Sequence, residues 1–372
     1  MRSTVAYSEK LTASEAFEEI CVKIENDTAG VCPAVILFAS DGVMFAELSK
    51  SFREKFHDSV IIGTTSGPFF CSEGNGQKAV NAMAVTDGLE IAAGVITDIK
   101  KNPMSFSGEI AAKMNSLTSK ENCCLLEFCT AFTDSEERIM DTFRFVIADE
   151  RIPLAGSTAW GVGTENNSMV SLNGEVFESA CVYAFIRNVR GKILILKENM
   201  YMPTVHHLVA TDVDCDERAV YEFNNRPAVV EIANALKVPI PDLKDHLLEH
   251  PLGRISKDKV YITDFDRIRP DGSITYRARI YNHSKVVLME PNNYDKVWNR
   301  TAQNVNNKIG KPSFTIVINC ISRTRLFLEK GRFSDFADVL SNSYGTYWGI
   351  SGMGEQYDFV HMNQTMLLIA FE

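Results

Sequence analysis

The sequence predicts an α/β fold in two modules: mixed, largely antiparallel sheets covered by helices, with internal strand-helix-strand repeats of about 90 residues. Three observations predict it. The chain has 372 residues, enough for two domains and a sizeable core. Short continuous apolar runs of strand length alternate with helically spaced apolar sets. The order of elements also recurs: Phe38 and Phe128 occupy matching strands, and Gly63 and Gly156 matching strand ends, about 90 residues apart in each case.

The elements follow in order. Ala16, Phe17, Ile20, Val22 and Ile24 lie among charges and predict an amphipathic helix over Ser14 to Asn26. Pro33 to Ala39 is an apolar run and reads as a buried strand. Phe45, Leu48, Phe52 and Phe56 predict a helix over Asp41 to Phe56, and Ser59 to Gly63 a strand. Strands follow near Lys78 to Val85 and Leu89 to Ile96. The series then restarts with a strand at Cys123 to Cys129, a helix at Ser135 to Ala148 and a strand at Ile152 to Gly156. The strand runs into the loop Gly156-Ser-Thr-Ala-Trp-Gly161, and strands follow near Gly174 to Phe177 and Ser179 to Ile186.

A weaker third echo has a strand at Phe314 to Cys320, a helix at Arg332 to Ser341, the glycine-rich loop Tyr347 to Glu355 and a last strand at Gln364 to Phe371. Before it, Val260 to Phe265, Ser273 to Tyr281 and Lys285 to Glu290 form a meander whose first turn is Pro270-Asp-Gly272. Asp212 to Arg226 is polar and reads as irregular, which puts the module boundary there. The division is 1–225, with repeats over about 33–110 and 120–200, and 226–372.

Composition narrows function. Apolar residues at 45% and charged residues at 23% exclude a disordered, collagen-like or coiled-coil chain. A net charge of -10 argues against nucleic acid and anionic membrane surfaces as partners. The longest apolar run, Val31 to Ala39, is about half a membrane span, and MRSTVAYSEK lacks the apolar core of a signal peptide. Nine cysteines, an odd number with Cys123 and Cys124 adjacent, fit reduced thiols. A cytoplasmic protein without membrane insertion is expected.

Several motifs carry chemistry. The loop Gly63, Thr64, Thr65, Ser66, Gly67 lets backbone approach a ligand and offers three hydroxyls; the alternative is a tight turn that satisfies them locally. No phosphate-loop pattern is present. His246-Leu-Leu-Glu-His250 matches an inverted zinc-protease signature, but Pro251 and Gly253 end the helix it needs. Asp212 to Asp216 starts like a calcium loop and fails at Glu217 and Phe223. Cys320, His361 and Asn363 contain the residue types of a nucleophile, base and orienter, against a buried, inert Cys320. No catalytic constellation convinces, and no enzyme is expected.

Ile62-Gly-Thr-Thr-Ser-Gly67, Ala155-Gly-Ser-Thr-Ala159, Thr211, Tyr221 to Ala228, Asn319-Cys-Ile-Ser-Arg323, Gly349, Gly354-Glu355 and Asn363-Gln-Thr365 together resemble the FIST family (F-box and intracellular signal transduction), from about Pro33 to the C-terminus. Departures are Pro68 where relatives often have Glu, and no visible F-box. The resemblance implies a free-standing sensory module that binds a small molecule, with amino acids a proposed ligand class. The implied partner is a histidine kinase, diguanylate cyclase or chemotaxis receptor. The predicted ligand site is Gly63, Thr64, Thr65, Ser66, Ser157, Thr158, Arg323 and Glu355. Arg323 would fork a carboxylate and Glu355 take an ammonium, unless the two pair with each other. No cofactor is expected. The alternative function implied by some relatives is a haem-based nitric oxide sensor, for which His206, His207 and His361 are the candidates. A hydrolase and a ligand-free scaffold are the remaining alternatives.

Overall fold

Alternation at period 2 decides where the central strands go. In Val35–Ser40, residues Val35, Leu37 and Ala39 face one core while Ile36 and Phe38 face another. Cys123–Cys129 does the same, sending Cys124, Leu126 and Phe128 to the first core and Leu125 to a helix-covered layer. In Phe314–Cys320, Phe314, Ile316 and Ile318 join the first core, and Val317 faces a third layer. Such strands are apolar on both sides because both sides are covered. The computed structural model describes residues 1–76, 80–160, 168–256 and 259–372.

Among these residues there are three six-stranded sheets, each built on one parallel strand-helix-strand pair. The pairs are Val35–Ser40 with Val60–Thr65, Cys123–Cys129 with Leu154–Thr158, and Phe314–Cys320 with Tyr347–Gly352. After each pair the chain sends a hairpin to a different sheet. Phe69–Cys71 and Gly74–Gly76 extend the third sheet beside Tyr347–Gly352. Val170–Leu172 and Glu175–Phe177 extend the first beside Val60–Thr65. Glu355–Tyr357 and Val360–Met362 extend the second beside Leu154–Thr158.

The outer strands are exchanged in the opposite cyclic sense. Leu89–Thr97 follows the first unit but pairs in the second sheet, and Ile193–Asn199 follows the second unit but pairs in the third. Ser3–Ser8 closes the ring by pairing with Val80–Val85 in the first. The result is a pseudo-threefold ring around one shared core. Its outer faces are covered by helices Ala13–Thr28 and Phe45–Lys55, then Ser107–Asn115 and Glu136–Ile147, then Tyr294–Ile309, Ile321–Glu329 and Phe333–Tyr344.

A fourth, antiparallel sheet sits between the second and third units in sequence. It runs from Tyr201–Asp214 through Ala219–Phe223, Leu252–Ser256, Lys259–Thr263, Phe265–Ile268 and Ile274–Tyr276 to Lys285–Pro291. Helix Ala228–Leu236 packs on it.

The structure agrees with the predicted α/β class and with the repeated strand-helix-strand order. It corrects three local readings. Asp212 to Arg226 is not irregular: Ala210↔Phe223 and Asp214↔Ala219 pair in a hairpin, and Asp214 accepts the turn amides of Asp216 and Glu217. This turn is closed by its own carboxylate. His246 and His250 do not share a helix face, because Ile240–Asp245 is a single 3-10 stretch followed by turns. The predicted helix over Arg332 to Ser341 is Phe333–Tyr344, preceded by the unforeseen helix Ile321–Glu329. Lys78 and Gly161 of the predicted segments lie outside the described residues.

Candidate functional site

The ends of the parallel strands converge. The Ser66 hydroxyl donates to Ser351 O (3.2 Å) and accepts from Ser351 N (2.9 Å), while Gly67 N also donates to Ser351 O. The Ser157 hydroxyl donates to Gly354 O (3.2 Å), Met353 N donates to Thr158 O (2.8 Å), and Trp160 N to Thr65 O (2.9 Å). The Thr158 hydroxyl accepts from Gln356 Nε2 (2.9 Å) and donates to Glu136. Thr64 bonds the backbone O of Thr65, and Thr65 exchanges bonds with Met169. Gly63 is required by packing, since a Cβ there would run into the Phe38 ring and the Ser171 hydroxyl. Thus the predicted loop residues are buried, with Ser66 and Ser157 bonded to the third unit's loop, Thr64 within its own and Thr65 to Met169; Trp160 and Met353 follow in the same loops.

Those two side chains help line a cavity of about 570 Å³ between the ring and the inserted sheet. The ring supplies Trp160, Ile321, Ser322, Arg325 and Met353. The inserted sheet and its 3-10 stretch supply Ile240, Lys244, Leu248, the run from Asp264 to Ile268, and Arg277. Its wall is mixed, with Trp160, Ile240, Leu248 and Ile321 set among the charged and polar side chains. Asp264 is buried on the cavity wall, with Gln364 Nε2 donating to it at 3.2 Å and the Ser322 hydroxyl facing it. Burial raises its carboxyl above the ordinary aspartate value. Arg277 pairs with Asp266 at 2.6 Å, while Arg267 and Arg325 are exposed and have only long contacts of 3.8 and 4.0 Å to carboxylates.

Arg323 and Glu355, predicted to grip a zwitterion, are not paired with each other and do not line this cavity. Arg323 lies inside helix Ile321–Glu329, fully buried, and donates to Glu198 Oε1 at 2.6 Å and Glu198 O at 3.2 Å. Glu355 accepts from Thr365 N at 3.1 Å, and burial holds its carboxyl well above the usual range. The Cys320 thiol is pushed up by burial, then by Glu355 and Asp264.

His361 is buried, with Nδ1 2.9 Å from Gln356 Nε2 and Nε2 3.1 Å from Arg277 O. Both ring nitrogens are therefore occupied, which fits neither an axial haem ligand nor a base for Cys320. His206 and His207 lie on Tyr201–Asp214, and no histidine lines the large cavity among the described residues. No group of metal-ligand side chains is present there either.

Next to the large cavity, sharing Arg277 and Met353 with it, is a chamber of about 50 Å³ lined by Thr158, Glu136, Arg218 and His361. Arg218 from the inserted sheet bonds Glu136 and Glu137 of the ring, each at 2.6 Å. Burial works against ionising Glu137, and Arg218 with His361 overcomes it, bringing its carboxyl down to about 2.

A ring of α/β units with an inserted sheet and a cavity between them defines the class of fold. Profiles of two domains fix the family. The FIST N domain matches residues 33–226 and the FIST C domain residues 228–358, so the chain belongs to the FIST family. FIST domains are associated with sensory signal transduction and small-ligand binding. The chain is also similar to the uncharacterized protein MJ1623 of Methanocaldococcus jannaschii, at 27% identity over 171 residues. That match covers 42% of this chain and 32% of MJ1623, so it spans about a third of that relative's length. Among the described residues no helix is long and apolar enough to cross a membrane.

Proposed function

We propose that the protein is a small-molecule sensor. Its ligand, an amino acid or related small carboxylate, binds in the cavity between ring and inserted sheet. The observation that supports this reading is the make-up of that cavity: a wall of mixed apolar and polar side chains, a buried carboxylate at Asp264, and the exposed cations Lys244, Arg267 and Arg325, the two arginines with only long contacts to carboxylates among the described residues. Cavities of this composition orient a ligand by a few polar groups and bury its apolar body. Because the two walls belong to different layers, an occupant bridges them. It shifts any equilibrium in their spacing by no more than its differential affinity for the two states. The signal then passes to a protein partner such as a histidine kinase, diguanylate cyclase or chemotaxis receptor.

A thermal-shift screen against amino acids, small carboxylates, nucleotides and haemin tests the reading. A ligand at 100 times its Kd adds about 2.7 kcal/mol. A rise of several degrees with amino acids or carboxylates is expected. A response confined to haemin, or to nothing in the panel, defeats the proposal.

A further inference from the structure

Resting on the ligand reading just proposed, we infer that Asp264 seats an ammonium group of the ligand deep in the cavity, that the ligand's carboxylate faces the cationic mouth, and that binding releases a proton.

The mouth residues Lys244, Arg267 and Arg325 are exposed, and Arg277 is matched by Asp266. Asp264 is the one buried carboxylate among the described lining residues. An occupant long enough to span the cavity therefore meets an acid inside and cations outside, which is the charge order of an amine-bearing carboxylate. A plain carboxylate leaves Asp264 without a cation, and a plain amine leaves the mouth unmatched. Charge-assisted hydrogen bonds to a desolvated carboxylate are the strong ones.

Proton release follows from what surrounds Asp264. The strand that follows it, Phe265–Ile268, contributes Asp266 and Arg267, and the next strand region Arg277. Helix Ile321–Glu329 contributes Ser322 and Arg325, and the 3-10 stretch Lys244. The inserted sheet adds Tyr201, and from the ring side come Gln364, the Cys320 thiol and Glu355, whose carboxyl is raised by burial. The Arg277 guanidinium favours ionised Asp264, but it is already engaged by Asp266. Desolvation thus biases the empty site toward the neutral acid, and an ammonium placed against it reverses that bias. Affinity for the amine ligand should rise with pH through the titration of Asp264, by up to about tenfold per pH unit below it.

The test is calorimetric titration of the full chain with each amino acid and with its des-amino carboxylate. It is run between pH 4.5 and 7 in two buffers of different ionisation enthalpy, on the wild type and on Asp264→Asn. Asn keeps the size of the side chain and one acceptor oxygen for Gln364, so a purely structural role beside the start of helix Ile321–Glu329 would largely survive it. The expected result is that the amino acid binds at least tenfold tighter than its des-amino partner, with protons released, and that both differences vanish in Asp264→Asn. Equal affinities for the two ligands, no buffer dependence, or an unchanged gap in Asp264→Asn would overturn the inference while leaving the carboxylate sensor standing. Absence of binding by both series takes down both.

Discussion

Replacing Arg323 by Ala removes one half of an ion pair whose side chains are 0% and 1% exposed. The Glu198 carboxylate then stays buried with nothing to balance it, because its second oxygen already has no hydrogen-bond partner. Breaking a buried pair from one side costs about 3–5 kcal/mol. Arg323 also covers the Phe327 ring at 5.5 Å, contact that Ala does not replace. At about 2–4 °C per kcal/mol for domains of 150–250 residues, the melting temperature should fall by roughly 10 °C. Replacing both partners by apolar residues of similar size, Arg323→Met with Glu198→Leu, should recover most of that loss, since it removes both desolvation penalties. Urea denaturation of the single and double variants measures the two quantities. A single-variant cost under about 1 kcal/mol, or a double variant as damaged as the sum of its parts, would refute the pairing as the reason for Arg323. Ligand affinity at a temperature where the single variant is folded should be unchanged, because the guanidinium does not reach the cavity.

Glu127 is fully buried, accepts from the Cys181 thiol at 3.2 Å, and is raised by burial to about 8. The folded protein keeps this proton while the unfolded chain loses it near 4.5, so stability should decline as pH rises from about 4.5 to about 8, by up to about 4 kcal/mol. In Glu127→Gln, denaturation curves across that range should lose this decline; a slope identical to wild type would contradict it. Glu137 behaves oppositely: its depressed carboxyl contributes stability that is present above about pH 4.5 and lost as pH falls through about 2. Arg218→Met should remove that contribution and cost about 3–5 kcal/mol at neutral pH by stranding Glu136 and Glu137, with tryptophan fluorescence melts as the readout. Gly349→Ala should destabilise by about 1–3 kcal/mol, because its Cβ would run into the Phe70 ring and backbone where one unit's hairpin joins another's sheet. A thermally neutral variant would show that this junction yields.

Legibility in the sequence tracked how local the cause was. Val35–Ser40, Cys123–Cys129 and Phe314–Cys320 announce themselves, since strands covered on both faces are apolar at every position or nearly so. Phe69–Cys71 with Gly74–Gly76 does not, because its partner is a strand almost 280 residues away and nothing in its own few residues demands pairing. The Asp212 to Arg226 hairpin misleads for the same reason: acidic turn residues dominate its composition, while its strand character comes from pairing Ala219 with Thr275. At the candidate site, the Asn319 to Arg323 motif runs into helix Ile321–Glu329, which borders the cavity without bringing Arg323 to it. Neighbouring residues on a helix face about 100° apart, so Arg323 turns inward to Glu198 while Ser322 faces the cavity. Asp264 had no local signal, being one acid after an apolar strand whose value comes from the helix that packs beside it.

The claim that the ligand lies between ring and inserted sheet is tested most directly by closing that space. Ser322→Trp would fill the cavity from the ring wall and Leu248→Trp from the inserted wall, and both are compared with wild type by calorimetric titration against the amino acids and carboxylates of the screen. The account predicts binding by the wild type and at least a hundredfold loss in each variant that retains the wild-type circular dichroism spectrum. Undiminished affinity in both folded variants would place the ligand elsewhere and contradict it.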